Sequence, residues 1–192
     1  MNDFMDIELN PKNEFRCEGS FKLFGAVLDK LNFKIDTGCP MTTIPLLRTP
    51  LSPSVIEAKK QKDYENIAVK KQISFGVNDS ALKRKTDKLK FKQGLFSQLD
   101  SVTCTKTVND FIIAGCNFGT MDIKVSYIRT GNMLIGMDIL QNCDIHIAKT
   151  CDNKVHLLAC PYNKLSDAYF LKLEEFYKTG TIIYSAINRN RL

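Results

Sequence analysis

The chain has 192 residues, 44% of them apolar, and a formal charge of +6. That is enough for one sizeable core with a modest appendage, and no run approaches the roughly 18 consecutive apolar residues that a membrane span requires. The charge is local: residues 59 to 92 hold eleven Lys or Arg against four acids, and the remainder is one charge negative. This basic stretch reads as a solvated insertion, and with only Tyr64, Phe75 and Phe91 interleaved in it a nucleic-acid partner is not expected.

The first 14 residues carry four acids and no apolar segment of the signal-peptide kind. Seven cysteines, at positions 17, 39, 104, 116, 143, 151 and 160, are an odd number in a chain too large to depend on disulfides. Reduced thiols and a cytoplasmic location are the expectation.

Residues 15 to 36 read as two strands joined near Asp29-Lys30. Leu31, Phe33 and Ile35 share one face of the second strand, and Asn32, Lys34 and Asp36 point the other way. A carboxylate therefore stands where the strand gives way to Thr37 and to Gly38, a residue that lets another backbone come close. After Pro45, Ser52 with Pro53, or Ser54 with Glu57, opens a short polar surface helix. Residues 67 to 75 alternate weakly, as a strand would, and meet the turn-rich Gly76-Val77-Asn78-Asp79. Strands are expected over 102–108, 110–114 and 121–128, with Gly115 and Gly119 bracketing a turn at Asn117.

The segment NMLIGMDILQ, residues 132 to 141, reads as a short apolar strand, a glycine, and a helix capped by Asp138. Residues 144–147 and 155–158 make a closing pair of strands. Beyond Cys160, Tyr169, Leu173, Phe176 and Tyr177 fall on one helical face, with Ser166 as cap and Gly180 as stop, and residues 181–187 add a strand.

An apolar strand ending in Asp36-Thr37-Gly38, followed about a hundred residues later by Met133-Leu134-Ile135-Gly136 and a short helix, resembles the retropepsin-like aspartic proteases over roughly residues 15 to 158. The resemblance implies a mainly β fold, a retropepsin-like closed β-barrel of the acid protease kind with short helices and a C-terminal helical extension. Residues 15–160 would form the protease domain, with helix, flap and basic insertion at 52–98. Residues 1–14 would form an N-terminal segment, and 161–192 a helix-strand extension.

The resemblance further implies an aspartic endopeptidase that needs no cofactor, with Asp36 catalytic. Thr37 and Gly38 would bring two loops together, Cys39, Ile135 and Gly136 would support them, and Phe75, Gly76 and Val77 would form the flap, with Gly94 as the other candidate tip. Cys39 departs from the family's usual Ala or Ser, and Pro40 is also unusual.

Carboxylate catalysis of peptide hydrolysis needs two acids sharing one proton. This chain supplies one, because Asp79-Ser80-Ala81 and Asp100-Ser101-Val102 lack the glycine. A homodimer with a protein or peptide substrate is therefore expected, each copy contributing its Asp36. The alternative is a catalytically weak or silent dimer that serves as a peptide-binding or adaptor module. Cys143, His146, Cys151, His156 and Cys160 contain no Cys-x-x-Cys pair and both histidines fall in expected strands, so no metal is expected. No sequence motif supports Ser-His or Cys-His catalysis.

Overall fold

The structure, a computed structural model, describes residues 2–74, 103–127 and 130–186. Its strands are β1 (Met5–Glu8), β2 (Arg16–Leu23), β3 (Ala26–Ile35), β4 (Thr43–Pro45), β5 (Thr103–Ile113), β6 (Cys116–Ser126), β7 (Met133–Ile135), β8 (Cys143–Lys149), β9 (Val155–Pro161) and β10 (Thr181–Ala186). The helices are α1 (Pro53–Ser74), α2 (Met137–Leu140) and α3 (Asp167–Thr179). The fold is mainly β. Six strands close into a barrel in the order β2-β3-β7-β4-β6-β5, and a separate sheet runs β1-β9-β8-β10. No helix among the described residues is long and apolar enough to cross a membrane.

The chain divides into two compact units, one of Met1–Ile44, Lys106–Lys124 and Asn132–Leu192, the other of Pro45–Thr105 and Val125–Gly131. In the first, the expected face of β3 is buried: Leu31, Phe33 and Ile35 join Phe21, Leu28, Phe111, Ile123 and Ile135 in the core. Phe111 packs edge-on against Phe33, with ring centres 6.0 Å apart.

The β2–β3 hairpin turns at Phe24-Gly25, both at positive φ, and not at Asp29-Lys30. Gly25 takes that conformation without strain. The Asp29-Lys30 signal marks a bulge instead: Lys30 has φ 52°, its N–H donates to Asp29 Oδ1, and the register slips between Gly19 and Phe21. Likewise β5 runs unbroken through Asn109-Asp110 and turns into β6 at Ala114-Gly115, where three strands and a turn at Asn117 were expected.

In the second unit α1 opens at Ser52, whose carbonyl accepts from Ile56 N–H and whose hydroxyl accepts from Val55 N–H. The helix continues to Ser74, which overturns both the short helix and the strand expected from residue 67. Lys, Glu, Gln and Ala dominate its sequence, and these strong helix formers outweigh a weak alternation. Buried Asp63 accepts from the hydroxyl of buried Tyr127 at 2.6 Å. The expected flap residues Phe75, Gly76 and Val77, and Gly94, lie outside the described residues.

The C-terminal extension packs on the sheet of the first unit. Ser166 caps α3 by accepting from Tyr169 N–H, and Tyr169 and Phe176 bury against Ala148, Leu158 and Cys160. Leu173 packs at the margin of that cluster, whereas Tyr177, expected on the same face, is 54% exposed. β10 then pairs with β8 antiparallel.

Candidate active site

Three short segments of the first unit build the site: the turn after β3, the chain entering β4, and the junction of β7 with α2. β3 and β7 run parallel, with Phe33 opposite Met133 and Ile35 opposite Ile135. Asp36 N–H donates to the Ile135 carbonyl at 2.9 Å, so the pairing carries on to the acid itself. The chain then turns. Cys39 N–H donates to the Asp36 carbonyl at 3.1 Å, and Gly38 N–H donates to Asp36 Oδ1 at 3.0 Å, the local bond by which Asp favours turns. Asp36 is half-buried, and Thr37 and Gly38 stand exposed at the tip.

Gly38 is not in the left-handed region, so backbone freedom is not what its position requires. Space is: a β-carbon there would lie 3.3 Å from Asp36 Oδ1 and crowd the carboxylate. Gly136 is under a harder constraint. A β-carbon on it would lie 2.5 Å from the Met41 carbonyl carbon and 2.8 Å from the Cys39 oxygen.

That close approach lets the first turn of α2 bind the acid loop. Met137 N–H donates to the Cys39 carbonyl at 2.8 Å and Asp138 N–H to the Pro40 carbonyl at 3.1 Å, so helix-start donors that have no partner within their helix are used. Gly136, and not Asp138, occupies the cap position. Asp138 Oδ1 instead accepts from Thr42 N–H and Thr42 Oγ1, both at 2.8 Å, and from Ile139 N–H at 3.0 Å. Thr42 Oγ1 also accepts from Gly136 N–H at 3.1 Å. Sequence reasoning missed Thr42: nothing in Met41-Thr42-Thr43 distinguishes the threonine that is fully buried.

Cys39 is half-buried, and its thiol donates to the Met41 carbonyl at 2.9 Å, while Ile135 is buried in the core. The strands that carry the loop are tied by a charged cluster. Glu14 accepts from Arg16 at 2.6 Å and from Lys34 at 2.9 Å, and Arg16 also donates to Asn32 and Asn132. These cations, Arg16 foremost, push Glu14 down to about 2.

A crystal structure of a retropepsin-like aspartic protease from Rickettsia conorii is similar to this chain. The two are 13% identical, the match covers 82% of this chain and 92% of that one, and the TM-score is 0.38. No family model and no curated protein matches.

The two histidines near the C-terminus stand apart, each beside its own carboxylate, His146 by Asp144 and His156 by Asp6. His156 Nδ1 lies 2.8 Å from Asp6, Cys143 donates to the Ile139 carbonyl, and Cys151 is exposed. Among the described residues no group of three His, Cys, Asp or Glu is placed to hold a metal ion. The chemistry on offer at the loop is that of a half-exposed carboxylate, able to take or give one proton but not to do both at once.

Proposed function

We propose that the chain is a retropepsin-like aspartic endopeptidase whose dyad is completed by Asp36 of a second copy. The observation that carries this reading is the exposed tip of the loop. Asp36 is fixed by Gly38 N–H and the Ile135 carbonyl while Thr37 and Gly38 face outward, free of bulk, where a twofold copy can meet them. Asp138, the other acid of the looped segments, has its Oδ1 engaged by Thr42 and Ile139, which favours a second carboxylate from another copy.

Two carboxylates about 3 Å apart cannot both ionise. The ionised Asp36 takes a proton from a bound water, which attacks the scissile carbonyl, and the protonated Asp36 of the other copy donates to the carbonyl oxygen. The tetrahedral intermediate then collapses with a proton passed to the leaving amine, and no acyl-enzyme forms. An extended substrate would be held through main-chain hydrogen bonds, as an added strand.

Digestion of a peptide library between about pH 4 and 7, with and without a pepstatin-type inhibitor, tests the reading. Wild-type protein should cleave internal bonds and be inhibited, and Asp36→Asn should abolish cleavage while sedimentation shows the same dimer. Cleavage that survives Asp36→Asn, or peptide binding without any cleavage by the wild type, overturns it.

A further inference from the structure

A second cluster of reactive groups lies on the sheet that carries the C-terminal extension. Asp144 and His146 are two residues apart on β8 and so share a face. In the pairing of β10 with β8, Ser185 stands opposite His146. An unbroken strand would turn Ser185 away from the face that Ile182 occupies, because residues three apart point to opposite sides. A bulge between Ile182 and Tyr184 reverses this, leaving Ile182 packed beside Tyr169 and Phe176 and aiming Ser185 at His146. Bulges that re-aim a side chain in this way are common beside reactive sites.

The groups lie in sequence, two hydrogen bonds flanking an ion-pair contact between His146 and Asp144. Ser185 Oγ lies 2.9 Å from His146 Nδ1, His146 Nε2 lies 3.3 Å from Asp144 Oδ1, and Tyr169 OH donates to Asp144 Oδ2 at 2.5 Å. His146, Asp144 and Tyr169 are buried, and Ser185 is exposed. A carboxylate facing Nε2 draws the ring proton there, which leaves the Nδ1 lone pair to accept from the Ser185 hydroxyl. A nucleophile hydrogen-bonded to its base, with an acid at ion-pair distance on the base's other side, is the pattern by which a serine is activated; His146 Nε2 and Asp144 Oδ1 are buried and make no other contact of that kind. Around the pair stand also the Tyr177 ring of α3, 6.1 Å from His146, and the thiols of Cys143 on β8 and Cys160 on β9, both of which interact with Asp144.

We propose that Ser185 is the nucleophile of a second site, an acyl-transfer centre for small carboxylic esters. Ser185 Oγ bonds to the ester carbonyl carbon as its proton passes to His146 Nδ1, and Asp144 stabilises the imidazolium through Nε2. The carbon–oxygen bond to the alcohol breaks, and the same proton goes to the leaving alkoxide. Water then repeats the sequence on the acyl-serine, releasing the acid and restoring the hydroxyl. Among the described residues β10 is the outer strand of its sheet, and an edge strand is where backbone N–H groups remain for the oxyanion of the tetrahedral intermediate. Asp144 and Tyr169 are positioning residues. The proposal does not depend on the role of Asp36.

The test treats the full chain with an alkyl fluorophosphonate and, separately, p-nitrophenyl acetate, and maps adducts by peptide mass spectrometry. One adduct on Ser185 is expected, absent in Ser185→Ala and formed as in wild type by Asp36→Asn, so failure of the acid-site reading leaves this one intact. Asp144→Asn should slow the labelling about a hundredfold and flatten its pH profile, and Tyr169→Phe should slow it less, with unchanged circular dichroism in both. The thiol introduced by Ser185→Cys should react with iodoacetamide near neutral pH faster than the exposed Cys151 of the same molecule. Folded protein without a Ser185 adduct, an adduct that survives Ser185→Ala, or an introduced thiol no faster than Cys151 overturns the proposal.

Discussion

Gly136 packs so closely on Met41 that a β-carbon built on it would fall 2.5 Å from the Met41 carbonyl carbon. The neighbour there is backbone, held in turn by the Cys39 and Pro40 carbonyls that accept from Met137 and Asp138. Gly136→Ala therefore has no flexible side chain to push aside and must part the acid loop from α2. The expected cost is about 3 kcal/mol, the upper range for overpacking, read as a shift in the urea midpoint. If Asp36 is catalytic as proposed, peptide cleavage should fall even where the variant is fully folded, because Asp36 moves with its loop.

Thr42 makes a sharper comparison. Its buried hydroxyl donates to the half-buried Asp138 and accepts from the buried Gly136 N–H. Thr42→Val keeps the shape but leaves the buried Gly136 N–H without its acceptor and removes one of the three donors to Asp138 Oδ1, at about 2 kcal/mol. Thr42→Ser keeps the hydroxyl and loses only a methyl, at about 1 kcal/mol. Urea denaturation should rank wild type above Thr42→Ser and Thr42→Val last. The reverse order of the two variants would mean that packing, and not hydrogen bonding, holds the loop pair.

How much of this could be read from the sequence depended on how local each cause is. The Asp36 loop was legible because Leu31, Phe33 and Ile35 announce the strand and the turn follows within three residues. The Gly136 segment was legible because apolar residues and a glycine stand together. Thr42 was not, since its partner Asp138 is 96 positions away. Ser185 and His146 are 39 apart, and a bulge inverts the alternation that would have located the serine. The hairpin is misplaced by the sequence because Lys30, like Phe24 and Gly25, takes a positive φ, and only strand pairing decides which site becomes the turn and which the bulge. Residues 67–74 read as strand on alternation and fold as helix on propensity.

The thiols should separate by burial. Desolvation pushes Cys17, Cys143 and Cys160 up to about 12, so none of them carries appreciable thiolate at pH 8, whereas Cys151 is exposed. Iodoacetamide at pH 8 should modify Cys151 within minutes and leave the other three intact until urea is added. Peptide mapping reads this directly, and early modification of Cys143 or Cys160 would show that the sheet under α3 opens readily.

Glu14 gives the protein a defined acid response. Its hydrogen bonds with Arg16 and Lys34 lower its pKa from 4.5 to about 2, so the folded state holds the charged form more tightly than the unfolded chain does. The stabilisation is therefore complete above pH 4.5, and it fades as the pH falls from there toward about 2, because the unfolded chain takes up the proton first. The cluster is partly exposed, so salt should weaken the effect. Thermal midpoints measured from pH 6 downward should fall more steeply for wild type than for Glu14→Gln below pH 4.5, and the two curves should converge near pH 2. Parallel curves would mean that the three charges attract one another no more in the fold than in the open chain. A gap that widens on acidification would place the acid sensitivity in other carboxylates.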